Sequence, residues 1–124
     1  MIDNALRIGK NEAPKLLWTN PSPNSSFSGQ TLTFGSEYSG YIVELKQSTS
    51  VGNVGRIYVP VGTANKYLFA TTSYDSNQGN RYLNSATANS ISFGEAKNSN
   101  TRGQFVANNS MAIPTRVYGV NWSI

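Results

Sequence analysis

The chain has 124 residues, of which 38% are hydrophobic and 13% charged, with ten Lys/Arg against six Asp/Glu and neither Cys nor His. One domain with a substantial core fits this length, and neutral polar residues (15 Asn, 16 Ser and 10 Thr) take the place of much of the usual charge. Disulfide scaffolds, thiolate nucleophiles, the common zinc ligand sets and histidine acid–base catalysis are excluded, and no apolar run approaches the ~18–20 residues of a transmembrane helix.

Residues 1–14 are more charged than the rest of the chain, end at Pro14 and show no alternation, so they read as an N-terminal arm ahead of a β domain over 15–124. Asp3 is placed to cap a single turn, with Ile2 four residues before Leu6. Residues 15–19 and 30–34 are short strand candidates. Between them, Asn20-Pro21-Ser22-Pro23-Asn24 ends any central strand, because proline donates no hydrogen bond. Tyr41, Val43 and Leu45 alternate with Glu44 and Lys46, which predicts a half-buried strand. Ile57, Val59 and Val61 are expected inward on the next strand, and residues 62–65 form a turn. The run 66–71 is apolar on both faces and predicts a central strand. Residues 75–80 read as a turn; their alternating oxygen side chains resemble a calcium loop only weakly, with one carboxylate. Residues 78–83 and 104–107 are weaker strand candidates, 90–93 alternates cleanly, and 98–103 is a loop. The chain closes on a strand with Tyr118, Val120 and Trp122 on one face. Turn signals recur every ~8–15 residues and 14 aromatics argue against disorder. The fold class expected is all-β, an antiparallel β-sandwich with jelly-roll order as one form.

None of the six carboxylates stands in a recognisable catalytic setting, and no phosphate-binding glycine loop or serine-nucleophile motif is present. A non-enzyme without metal or cofactor is expected; a depolymerase would have to rest on Asp75 or Glu95. The ten basic residues are scattered, which argues against a nucleic-acid footprint. Trp18, Phe27, Phe34, Phe69, Phe93 and Trp122 are expected in the core. Tyr58 is out of phase with Ile57 and Val59, and Tyr74 and Tyr82 flank the 75–78 turn. With Asp75, Asn77 and Arg81 these three tyrosines form the candidate ligand face, since Tyr combined with Asn and Ser suits adaptable recognition and Arg supplies a hydrogen-bond fork. Low charge also suits contact between copies, and Ile2, Leu6, Arg7 and Lys10 make the arm a candidate docking segment.

Two segments carry a family resemblance. Leu16-Leu17-Trp18-Thr19-Asn20-Pro21-Ser22-Pro23, followed by Phe27 and Gln30-Thr31, is the first, and Ile113-Pro114-Thr115-Arg116-Val117-Tyr118-Gly119 is the second. With the strand pattern of 41–46 and 56–60 between them, they resemble small virion-associated β domains of phages and prophages of low-GC Gram-positive bacteria and their gut relatives. The resemblance spans about residues 16–120. It implies a non-catalytic virion protein of tail-fibre, tail-tip or appendage type, exposed on the particle and made in the host cytoplasm without a signal peptide. The partners it implies are other virion proteins, further copies of itself with a trimer favoured, and a bacterial surface glycan or teichoic acid, with neither nucleic acid nor membrane. The motif begins close to residue 1, which favours a short appendage, a tail-tip subunit or a capsid decoration protein over the head of a long fibre. A capsid decoration or head-fibre protein of purely structural role is one alternative, and a carbohydrate-binding module unattached to a virion is the other.

Overall fold

Alternating sequences become strands wherever one face finds a second sheet to cover it. A computed structural model of the chain describes residues 12–69 and 77–122. Nine strands form there, with no helix among the described residues: β1 (Lys15–Thr19), β2 (Gln30–Thr33), β3 (Gly40–Ser48), β4 (Val54–Pro60), β5 (Ala64–Leu68), β6 (Asn77–Thr87), β7 (Ser90–Asn100), β8 (Phe105–Ala107) and β9 (Met111–Val120). A four-stranded sheet runs β1-β9-β3-β4, and a five-stranded sheet runs β2-β7-β6-β5 with β8 paired to β7. All pairings are antiparallel. The sheets pack as a β-sandwich. Hairpins β3–β4, β5–β6 and β6–β7 stay within a sheet. The chain crosses from one sheet to the other at β1–β2, β2–β3, β4–β5 and β8–β9.

The four-stranded sheet sends Tyr41, Val43, Leu45, Val59, Ile113 and Val117 into the core, and the five-stranded sheet sends Leu32, Leu68, Leu83, Ala86, Ile91 and Phe93 to meet them. Burial of each large side chain contributes ~1.5–3 kcal/mol. The Tyr41 hydroxyl crosses to the other sheet and donates to Thr87 O at 2.6 Å.

The two segments that carry the resemblance lie side by side. β1 pairs with β9, with a bulge between Leu16 and Trp18. Beyond β1, the Asn20 backbone donates to Thr115 O (2.8 Å) and its side-chain amide to Pro114 O (2.9 Å). The register between β3 and β9 skips Thr115, and that bulge is what admits Pro114 to a strand with neighbours on both sides. Gly119 leaves room for its neighbours: a Cβ there would stand 2.6 Å from the Tyr38 ring and 2.8 Å from Leu17.

Several expectations are corrected. The described part of the 66–71 run is not a central strand: β5 is the edge of its sheet, Leu68 is buried, Tyr67 faces solvent because no third layer covers its side, and Lys66 is exposed at the sheet edge although it shares the parity of Leu68. Phe69 is 54% exposed and leaves the core for the same reason. Trp18 and Phe34 are half-buried against the core's margin, and Trp122 lies outside it, stacked on Tyr58. Val61 lies past the end of β4 in a turn and is exposed. Residues 77–80 belong to the long central strand β6, and 98–100 to β7.

Candidate functional site

The period of two along each strand decides which side chains meet solvent. On β5, Leu68 points inward and Tyr67 outward; on β6, Arg81 and Leu83 point inward and Tyr82 outward. On the outer face of the five-stranded sheet the Tyr67 and Tyr82 rings stand 5.0 Å apart, edge to face. Phe105 comes in from β8, beyond β7, and its ring lies 5.1 Å from Tyr67. Rings from both margins of the sheet thus meet over its central strands. Gly94 makes room beneath: a Cβ there would press on Tyr82 Cδ2 at 3.1 Å.

Polar groups frame the rings. Lys97 Nζ lies 5.0 Å from the Phe105 ring centre, a cation–π contact. The Tyr82 hydroxyl donates to Asn65 Oδ1 at 3.2 Å. Asn65 sits at φ 55°, a left-handed position that asparagine tolerates better than most residues. The face continues into a neutral row in which Asn84 Nδ2 donates to Ser92 Oγ (3.2 Å) and the Ser92 and Thr31 hydroxyls share a bond of 2.8 Å. Phe105 is 45% exposed and Tyr67 36%.

Of the residues expected to form one ligand face, the described ones (Tyr58, Asn77, Arg81 and Tyr82) are dispersed. Tyr82 belongs to the cluster just described. Tyr58 lies on the outer face of the opposite sheet, its ring over Gly40 and stacked on Trp122 at 5.3 Å. Arg81 is fully buried between the sheets and faces no ligand. Its Nε donates to Ala112 O (3.0 Å), Nη1 to Phe27 O (2.5 Å) and Gly94 O (2.9 Å), and Nη2 to Met111 O (2.9 Å). Burial lowers its pKa to about 10 against an opposing pull from Glu95, so the guanidinium is charged at neutral pH. Asn77 lines a cleft at the end of the sandwich and accepts a bond from Asn98 Nδ2 at 3.0 Å. Tyr74 and Asp75, with Ile2, Leu6, Arg7 and Lys10 of the arm, lie outside the described residues.

Sequence patterning does not single out Tyr67, Phe105 or Lys97. The parity of Tyr67 against Leu68 is a usable signal; the meeting with Phe105 is not, since it depends on how β8 joins the sheet. The buried Glu44 carboxylate is held by Arg56 (2.7 Å) and Arg116 (3.7 Å) on the outer face of the four-stranded sheet. No cluster of three or more carboxylates that could hold a metal occurs among the described residues. No helix there is long and apolar enough to cross a membrane. Comparison with protein-family models, curated proteins and solved structures finds no match to this chain.

Proposed function

We propose that this chain is a non-catalytic, self-associating virion domain of a bacteriophage, which holds the particle to a bacterial-surface glycan through the outer face of its five-stranded sheet. The virion part of this reading rests on the paired motifs of β1 and β9. The binding part is carried by one observation, the meeting of Tyr67, Tyr82 and Phe105 on a solvent face. Aromatic rings left in water forgo the ~1.5–3 kcal/mol that burial gives each, and a contiguous exposed patch of this kind marks an interaction surface. Sugars suit it. Their C–H faces pack on rings, and their hydroxyls bond to the amides of Asn65 and Asn84. Lys97 and a net charge of +4 favour an anionic envelope, with an attraction that salt weakens.

The test has two arms. Purified wall glycan and teichoic acid from Gram-positive hosts are titrated against the wild type, Tyr67→Ala and Phe105→Ala. Each substitution is expected to weaken binding at least about tenfold, because stacked rings supply most of such contacts. Unchanged affinity in both variants overturns the binding surface. A cryo-EM map of the intact particle is expected to place the domain at the tail tip or an appendage, as a trimer. A regular lattice over the capsid shell replaces attachment with decoration, and absence from the particle leaves a free carbohydrate-binding module.

A further inference from the structure

At the end of the sandwich where β6 begins and β7 finishes, the sheets part and leave a cleft of about 220 Å³. Its walls are Gln47, Ser48, Asn77, Asn98 and Asn108, with Val51 and Met111 as the apolar surface. None of these seven residues is charged at any ordinary pH. At ~30 Å³ per water the cleft holds about seven waters, and it falls below the ~300 Å³ of pockets for drug-sized ligands. A single sugar ring is a suitable size.

One detail points to a ligand, and its neighbour in the ladder shows which way it faces. Gly79 pairs with Asn98 across the β6–β7 ladder, and its side-chain face is packed against β9: a Cβ there would stand 2.7 Å from Ala112 N and 2.9 Å from Met111 Cβ. Asn98 shares that face and looks into the space between the sheets. Its Nδ2 donates to Asn77 Oδ1, but its Oδ1 is buried and has no hydrogen-bond partner. Native structures rarely leave a buried carbonyl oxygen unpaired, since each costs ~1–3 kcal/mol. An O–H or N–H brought by a ligand satisfies it. The groove on the outer face of the four-stranded sheet, about 380 Å³, lacks this feature, because the Glu44 carboxylate in its wall is already held by Arg56 and Arg116.

We infer that this cleft is a second binding site, for one neutral sugar residue, in which Asn98 Oδ1 accepts a sugar hydroxyl while Val51 and Met111 pack against the ring's C–H face. The absence of charge among the described lining residues selects against phosphorylated or acidic sugars, which would lose hydration with no cation there to replace it. The site lies at the end of the sandwich, apart from the Tyr67–Tyr82–Phe105 face, and it stands or falls separately from the reading of that face.

The probes are free glucose, galactose, rhamnose and N-acetylglucosamine, titrated into the isotope-labelled full chain while side-chain amide and methyl signals are followed by NMR. At least one sugar is expected to give saturable shifts at the amides of Asn98, Asn108 and Gln47 and at the Met111 methyl, with a millimolar dissociation constant. The signals of Tyr67 and Phe105 stay in place. Asn98→Leu keeps the volume, removes the acceptor and is expected to weaken binding at least about tenfold. Should that variant not fold, Val51→Phe, placed in the loop between β3 and β4, fills the cleft and is expected to abolish the shifts with the rest of the spectrum unchanged. The inference is overturned if no probe gives saturable shifts at the cleft, or if a folded Asn98→Leu or Val51→Phe binds as the wild type does. A loss of glycan binding in Tyr67→Ala with the cleft titration intact counts for the outer face alone.

Discussion

Replacement of Arg81 by Met is expected to be among the most damaging single changes in the domain. The substitution keeps a long unbranched stem in the same space and removes the guanidinium. Four backbone carbonyls, of Phe27, Gly94, Met111 and Ala112, then lose a donor at 2.5–3.0 Å. Backbone acceptors cannot be mutated away, so their desolvation remains, at ~1–3 kcal/mol for each one left unsatisfied. The guanidinium carbon also stands 5.0 Å from the Phe27 ring centre, which adds ~0.5–2 kcal/mol of cation–π attraction. Against this, Met removes a buried charge whose own desolvation costs several kcal/mol. The balance is a loss of about 3–5 kcal/mol, a large part of the ~5–15 kcal/mol that holds a domain together. With a urea m value of about 1.5 kcal/mol per M, the unfolding midpoint falls by roughly 2–3 M. Arg81→Lys keeps the charge but reaches one or two of the four carbonyls and is expected to lie between the two. A midpoint for Arg81→Met within about 0.5 M of wild type would refute the claim that this side chain ties the β1–β2 connection, β7 and β9 together.

Two more outcomes concern a buried hydroxyl and a close backbone contact. Tyr41 has its pKa raised above the ordinary phenol value of 10.0, chiefly by burial, against a hydrogen bond from the Ser90 backbone. Its contribution is therefore complete below pH ~10 and lost as pH rises through the folded-state value, so Tyr41→Phe costs about 1 kcal/mol at neutral pH and the difference closes in alkali. Urea midpoints from pH 7 to 11 check this, and a constant gap across the range contradicts it. Gly79→Ala puts a Cβ 2.7 Å from Ala112 N, a backbone atom that cannot swing aside, and is expected to cost ~1–3 kcal/mol, or roughly 4–12 °C in melting temperature. An unchanged melting temperature in calorimetry would mean that β6 and β9 are not packed this closely.

Fold class was legible because alternation is a local property. Tyr41, Val43 and Leu45 bury one face of β3 as their spacing predicts, and β1, β2, β4, β7 and β9 all begin at or near turn chemistry visible in the chain. What alternation does not supply is which face a second sheet covers. Tyr67, Leu68 and Phe69 look the same as a two-sided core strand until β5 is found at an edge, where only Leu68 is covered. Arg81 illustrates the converse. It shares the parity of Leu83, so its inward direction was readable, yet an arginine on an inward face is expected only if acceptors await it. Those acceptors are carbonyls freed by irregularities in distant segments, including Ala112 at φ 47°, and no local pattern announces them. The described residues of the candidate ligand face are separated on the same ground. Tyr58 and Tyr82 both point outward, but from different sheets.

The placement of the two motif segments also bears on what a resemblance of this kind carries. The motif residues serve the fold: Trp18 packs edge-on against Phe27, Asn20 ties the end of β1 to the middle of β9, Pro114 occupies a bulge, Val117 is in the core, and Gly119 admits Tyr38. The two distant stretches of sequence form one antiparallel seam, and neither stretch needs a ligand to explain it. Tyr67, Tyr82, Lys97, Phe105 and the amides of the end cleft all lie outside both segments. Such a seam fixes where loops and outward faces stand while leaving those faces free to differ, so the glycan recognition proposed above rests on the outward residues and not on the seam. Domains sharing the seam but recognising different surfaces are thus expected to agree at Trp18, Asn20, Pro114 and Gly119 and to part at Tyr67, Phe105 and Asn98.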